Sequence, residues 1–142
     1  MKAFHSAGIL VFSMVIAFAN STTALARAND ADQSATLVHP AGLDATYEAV
    51  LNEVKKEGLS VDSASKDAGI KTATSVSGHY HQTGLHLEIQ FVQDSSNETT
   101  VRVAALKQTR YKALNTEPWS SPKVDSKQSQ DAADKLKAGL GW

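Results

Sequence analysis

The chain has 142 residues, no cysteine and a formal net charge of −1. Without cysteine it can form no disulfide, no zinc–thiolate site and no thiol nucleophile, so its fold must be held by packing alone. Its basic residues are scattered rather than clustered, so no nucleic-acid partner is expected.

The N-terminus has the features of a cleavable secretory signal. Lys2 precedes an apolar run at residues 7–19, and Ala24 and Ala26 occupy the positions that a signal peptidase recognises. The run is shorter than the roughly 20 residues that span a bilayer, so an uncleaved anchor is the less favoured alternative. We therefore expect residues 1–26 to be a signal peptide and the protein to be periplasmic or secreted, in a bacterium.

One domain is expected after the signal. Residues 27–35 are small and polar, which is typical of a disordered tail. Residues 36–142 have the length of a single domain. The domain is predicted to open with a short strand at residues 36–38, which Pro40 ends because proline cannot donate to a ladder.

The clearest helix signal is LDATYEAVLNEVKKEGL. Asp44 is predicted to be the N-cap, because its carboxylate can accept a bond from the free amides of the first turn. Gly58 is predicted to be the left-handed residue that ends the helix. The apolar residues recur at helical spacing and fall on one face: Tyr47, Val50, Leu51 and Val54.

Alternating polarity predicts four strands in the next part of the chain. The alternation is cleanest in LHLEIQF and TVRVAAL, and the short polar stretch between them predicts an antiparallel hairpin with one wet face. Gly69 closes a turn between the first two strands. The predicted strands are residues 59–63, 70–77, 85–91 and 100–106.

The C-terminal part predicts an irregular segment and a second helix. Residues 108–125 contain Pro118, Trp119 and Pro122 and are long for a loop in so small a domain. Asp125 or Ser126 is predicted to cap the helix that follows, and Gly139 to end it. The side chains expected to face the core are Ser129, Ala132, Ala133 and Leu136.

The element order is therefore β-α-β-β-β-β-α. It predicts an α+β fold, a two-layer sandwich in which an antiparallel sheet of about four to five strands carries both helices on one face. The other sheet face would carry His86, Glu88, Gln90 and Arg102 and would be open to water or to a partner.

From Tyr47 to Thr74 the order of these signals resembles a known family, and the resemblance spans about Leu37 to Leu106 with the terminal helix in addition. A helix of the form Tyr-x-Ala-Val-Leu is followed by Gly58, a strand and the turn Asp67-Ala68-Gly69-Ile70. This layout is similar to the helix-grip domains of BamC, the lipoprotein subunit of the outer-membrane β-barrel assembly machine, and to related small envelope proteins of unknown function. The resemblance implies an envelope-located binding domain without catalytic residues. The chain departs from the family in having one domain and no lipidated cysteine, so the family's partner is not carried over.

Three of the five histidines lie in GHYHQTGLHLE. His79 and His81 would point to one side of an extended chain, and a turn near residues 82–84 would bring His86 opposite them. Such a cluster, with Glu88, would suit zinc or copper. The alternative is a solvated loop whose Tyr80 packs on the sheet edge. A further alternative is a response to pH, because imidazoles titrate near pH 6.5.

No signature of catalysis or of a cofactor is present. The chain has no Gly-x-Ser-x-Gly elbow and no phosphate-binding glycine loop. Trp119 is either an exposed anchor for a partner or a plug at one end of the core. The favoured function is an exported non-enzymatic envelope domain that binds a protein partner or a small ligand, and the alternative is a periplasmic metal-binding module. The candidate partner-binding residues are Trp119, Glu88, Gln90 and Arg102.

Overall fold

The computed structural model describes residues 33–112 and 117–142. The predicted signal peptide, most of the predicted tail and part of the predicted irregular segment lie outside these residues. The strands are β1 (Ala35–His39), β2 (Val61–Ser65), β3 (Gly69–Thr72), β4 (Ser75–Ser77), β5 (His81–Ser95), β6 (Glu98–Tyr111) and β7 (Lys123–Val124), and the helices are α1 (Leu43–Lys56) and α2 (Ser126–Leu140).

The strands form one antiparallel sheet of seven strands. Its order is β1-β6-β5-β3-β2, with β4 also on β5 and β7 also on β6. The α+β class is confirmed, but the sheet is larger than predicted. The strand expected at residues 70–77 is two strands, because its pairing register with β5 shifts by one residue between the pair Lys71–Glu88 and the pair Ser75–Leu85.

The central hairpin of β5 and β6 is much longer than its apolar pattern indicates. Its ladder runs from the pair His81–Tyr111 to the pair Gln93–Thr99 and, past an irregularity, ends at the pair Ser95–Glu98. The turn expected at residues 82–84 is therefore wrong, because these residues lie inside β5. The outer halves of the two long strands are supported by β4 on one side and β7 on the other.

Both helices pack against the same face of the sheet, as predicted. Tyr47 of α1 meets Phe91 of β5 edge to face, with ring centroids 5.5 Å apart. We call the side of the sheet that the helices cover the first face. Its core consists of buried side chains from β1, β3, β5, β6 and both helices: Ala35, Leu37, Tyr47, Val50, Val54, Ile70, Ile89, Val101, Val103, Ala133 and Leu136.

The start of α1 differs from the prediction and its end agrees with it. The N-cap is Gly42, and Asp44 lies in the first turn, where its Oδ1 pairs with Lys66 Nζ at 2.8 Å. At the other end Gly58 has a φ of 83°, and the N–H of Leu59 donates to the carbonyl of Val54 (3.3 Å). This is the predicted left-handed ending.

The start of α2 agrees with the prediction and its end does not. The carboxylate of Asp125 accepts a bond from the N–H of Gln128 (2.9 Å), which confirms the predicted cap. Gly139 lies within the helix, which runs to Leu140 with Gly141 as its C-cap. Gly139 lies against α1, because a Cβ there would overlap the carboxylate of Glu53, which would have to shift to admit it.

Within the described part of the chain, no helix combines the length and hydropathy needed to cross a bilayer.

Candidate functional site

The sheet surface opposite the helices is the candidate site. We call it the second face. Directly opposed residues of an antiparallel ladder share a face, and neighbours along a strand alternate. The pairs His86–Leu106, Glu88–Ala104 and Gln90–Arg102 therefore all lie on the second face.

The centre of the second face is buried, which corrects the expectation of an open surface. Leu106 is 0% exposed and His86 is 5% exposed. Val124 of β7 lies opposite Leu106 on the other side and is itself buried. The row Val124–Leu106–His86 thus forms a small buried cluster of two apolar side chains and one imidazole, none of which belongs to the main core.

A histidine and a carboxylate lie side by side at this centre. His86 and Glu88 are two residues apart on β5, so their side chains leave the strand on the same side. His86 Nε2 lies 3.5 Å from Glu88 Oε1, and the two side chains are 5% and 16% exposed. The contact becomes an ion pair when the imidazole is protonated.

Trp119 lies at one end of the second face. Its ring is stacked under the guanidinium of Arg110, with Cζ 4.3 Å from the ring centroid, and Arg110 Nε donates to Gln82 Oε1 at 2.7 Å. The segment carrying Trp119 is tied to β6, because Ser120 N–H donates to the carbonyl of Thr109 (2.8 Å). The indole also reaches Gly84, where a Cβ would lie 3.5 Å from the ring.

The four predicted partner-binding residues share the second face, but they do not form one cluster. Glu88, Gln90 and Arg102 are close together on one side of the buried centre. Trp119 lies beside Arg110, eight residues further along β6 than Arg102, which is about 27 Å. Trp119 is half-buried on the second face and does not plug the core between sheet and helices.

The three histidines of the predicted metal site are not brought together. His81 and His86 are five residues apart in one continuous strand, so they lie on opposite faces. The His81 ring contacts Tyr111 and the His79 ring contacts Tyr80, each with centroids 4.7 Å apart. Among the residues described, no group of three or more His, Cys, Asp or Glu is placed to hold a metal ion. A metal site using these histidines stays a prediction, and a zinc titration would test it.

Sequence reasoning missed Leu106 and Arg110. The signal for Leu106 was present, since the alternation of TVRVAAL ends in a run of four apolar residues, Val103 to Leu106. In a strand, adjacent apolar residues indicate that both faces are covered. Arg110 had no such signal, because its role depends on the long-range pairing that brings Gln82 and Trp119 to it.

Comparison with protein-family models, curated proteins and solved structures gave no match. The class that the fold and the site define is therefore a two-layer α+β domain with helices on one face of a long hairpin sheet and a polar, partly buried second face. The resemblance to helix-grip envelope domains stays a prediction.

Proposed function

We propose that this chain is an exported, non-enzymatic envelope domain that binds a protein partner through the second face. The observation that carries the proposal is the composition of this face. Both described helices pack against the first face, which leaves Glu88, Gln90 and Arg102 on a surface with a buried centre at Leu106.

The side chains of the second face are of the kinds that protein interfaces use. Arginine and tryptophan are enriched in interface cores, and Arg110 and Trp119 are stacked on each other here. Arg110 is also held by Gln82, so less side-chain entropy is lost when a partner binds. Arginine and glutamate side chains near the centre give the face both signs of charge, which favours a partner with a complementary polar surface.

The burial of His86 argues against catalysis at the same place. A histidine beside a carboxylate is a common arrangement in enzymes, but a general base must come within hydrogen-bond reach of the proton it removes. With 5% exposure, the His86 imidazole is covered by protein rather than presented to a substrate. The contact between His86 and Glu88 is better explained as a structural interaction that holds the centre of the second face in place.

Export and envelope location are supported by the predicted signal at residues 1–26. A partner should therefore be sought among envelope or secreted proteins. A small ligand remains the other outcome, and it would show as saturable binding of a low-molecular-weight fraction by the purified chain.

The test is capture from an envelope extract with three versions of the chain. The first is wild type, the second carries Gln90→Ala and Arg102→Glu on the second face, and the third carries Lys55→Glu and Asn52→Ala on the exposed side of α1. We expect wild type and the α1 control to retain the same protein and the second-face variant to lose it. Retention by the second-face variant, with its fold verified by circular dichroism, would contradict the proposal.

A further inference from the structure

The outer part of the central hairpin extends beyond the helices. On β6 the helix contacts reach Ala105, whose N–H donates to Ser129 Oγ (2.9 Å) and whose carbonyl accepts from Asp125 N–H (2.9 Å). Beyond Ala105, Lys107, Thr109 and Tyr111 continue along the same side of the strand and are all exposed. Tyr111 is six residues from Ala105, or about 20 Å. We call residues 75–85, 106–112 and 117–124 the arm.

Exposed tyrosines surround the end of the arm. Tyr80 lies opposite Lys112, whose N–H donates to the Tyr80 carbonyl (2.7 Å), and the next rung pairs His81 with Tyr111. Because the side chains of adjacent cross-strand pairs point to opposite faces, the two tyrosines lie on opposite sides of the arm at nearly the same position along its length. Tyr80 is 63% exposed and Tyr111 is 40% exposed, and Val76 close by is 50% exposed.

The arm is also basic. Its charged residues are four cations, Lys107, Arg110, Lys112 and Lys123, and one anion, Glu117. Lys107 and Lys123 are direct cross-strand partners. Like charges at opposed positions destabilise a sheet, so folding alone does not favour this pair. The ion pairs Asp44–Lys66, His86–Glu88 and Lys127–Asp131 lie outside the arm.

We propose that the arm docks on an anionic phospholipid surface. Tyrosine is enriched at the membrane–water interface, where its ring and hydroxyl meet the headgroups. Lysines just outside the interface are attracted by the negative surface potential. Lys107 is four residues behind Tyr111, or about 14 Å. The headgroup layer is about 5–7 Å thick on each side of a bilayer, so Lys107 and Lys123 lie outside it when the tyrosines are at its base. They are then within about one Debye length, roughly 8 Å, of the charged surface.

The placement of the tyrosines favours a lipid surface over an acidic protein surface. A bilayer interface surrounds whatever enters it, so it contacts both sides of the arm at once. A folded protein partner would cover one side and leave the tyrosine on the other side in water. A lipid surface and an acidic protein surface would both attract the lysines, so the positions of the two tyrosines distinguish the two kinds of partner.

The test is sedimentation of the chain, as cells process it after export, with lipid vesicles. One set of vesicles is pure phosphatidylcholine and the other is phosphatidylcholine mixed with phosphatidylglycerol. We expect binding to the anionic vesicles that weakens as salt is added, because the attraction is screened. Lys107→Gln with Lys123→Gln should reduce the affinity about twenty-five-fold, at about fivefold for each lysine.

Two comparisons make the outcome specific. Lys135→Gln with Lys137→Gln removes two exposed lysines near the C-terminal end of α2 and should leave binding unchanged. Tyr80→Ser with Tyr111→Ser should abolish most binding to vesicles, whereas Val38→Ser, at an exposed valine of β1, should not.

The proposal is overturned if the arm variants bind anionic vesicles as tightly as the unaltered chain. It is also overturned if soluble polyglutamate binds equally well and the tyrosine changes have no effect, since that result would indicate an acidic protein surface.

Discussion

His86 and Leu106 face each other across the central hairpin, and both side chains are buried on the side of the sheet that the helices do not cover. This pair divides the second face. Toward one end lie Glu88, Gln90 and Arg102, and toward the other lie Arg110 and Trp119. The buried centre therefore stabilises the surface that we propose for partner binding.

Leu106 should be as important for stability as a residue of the main core. Leu106→Ala removes a fully buried side chain and should lower the free energy of unfolding by about 2–4 kcal/mol. Gln108→Ala, two residues further along the same face, should change it by less than about 0.5 kcal/mol. Urea denaturation measures both. A loss of less than about 0.5 kcal/mol for Leu106→Ala, no larger than that for Gln108→Ala, would show that the centre of the second face contributes no packing energy.

The two predicted turn glycines should differ in their tolerance of alanine. Gly58 and Gly69 both have positive φ, at 83° and 86°. A Cβ at Gly58 meets nothing within 4 Å, whereas a Cβ at Gly69 would overlap the carbonyl of Ile89. Gly58→Ala should therefore cost about 1–2 kcal/mol from backbone strain alone, and Gly69→Ala about 1–3 kcal/mol more. Thermal unfolding that ranks Gly58→Ala as the more damaging change would contradict this account.

Glu53 and Gly139 should be coupled across the two helices. Because the Glu53 carboxylate occupies the space of a Cβ at Gly139, Gly139→Ala should displace it and be less favourable in the otherwise unaltered chain than in a chain without that carboxylate. In a Glu53→Ala background the same change should stabilise it by about 1 kcal/mol, since alanine is the better helix former. A double-mutant cycle of denaturation measurements gives the coupling. An identical effect of Gly139→Ala in both backgrounds would refute it.

His39 should make stability depend on pH. Its ring stacks on Trp142, with centroids 3.8 Å apart, and burial lowers the pKa of His39 below its ordinary value of 6.5. Between the lowered pKa and 6.5 the unfolded chain binds more protons than the folded chain. The free energy of unfolding should therefore fall as the pH drops through this window and stop falling below the lowered pKa.

The control for this pH effect is His39→Phe, which keeps an aromatic ring on Trp142 and does not titrate. Burial raises the pKa of Glu57 above 4.5, so its protonation favours the folded chain and acts in the opposite direction. Glu57 is present in both proteins, so their difference isolates His39. Urea denaturation across this pH range should show a steeper loss for the chain with His39, and parallel curves would contradict the prediction.

The sequence predicted those elements whose positions depend on residues close together in the chain. The apolar spacing from Tyr47 to Val54 and the left-handed residue at Gly58 located α1, and the carboxylate of Asp125 located the start of α2. The α+β class followed from the order of these elements. Asp44 was wrongly placed because Gly42 starts the helix without a side-chain cap, and Lys66, distant in sequence, pairs with Asp44.

The candidate site was predictable only in part. Strand alternation correctly placed Glu88, Gln90 and Arg102 on the side away from the helices. The length of the central hairpin was not predictable, because residues 81–84 and 107–111 are mostly polar or small and show no apolar alternation, although they continue the β5–β6 ladder and β4 and β7 pair with part of this extension. That extension separates His81 from His86 and carries Trp119 to the second face.

The central claim is that the second face binds a protein, and site-specific photo-crosslinking in cells tests it most directly. A photoreactive phenylalanine derivative would replace Gln90 on the second face, and in a matched strain it would replace Asn52, which is exposed on α1. The account predicts one crosslinked product of defined mass from position 90 and none from position 52. Crosslinking from position 52 alone, or none from position 90 in a folded and exported chain, would contradict it.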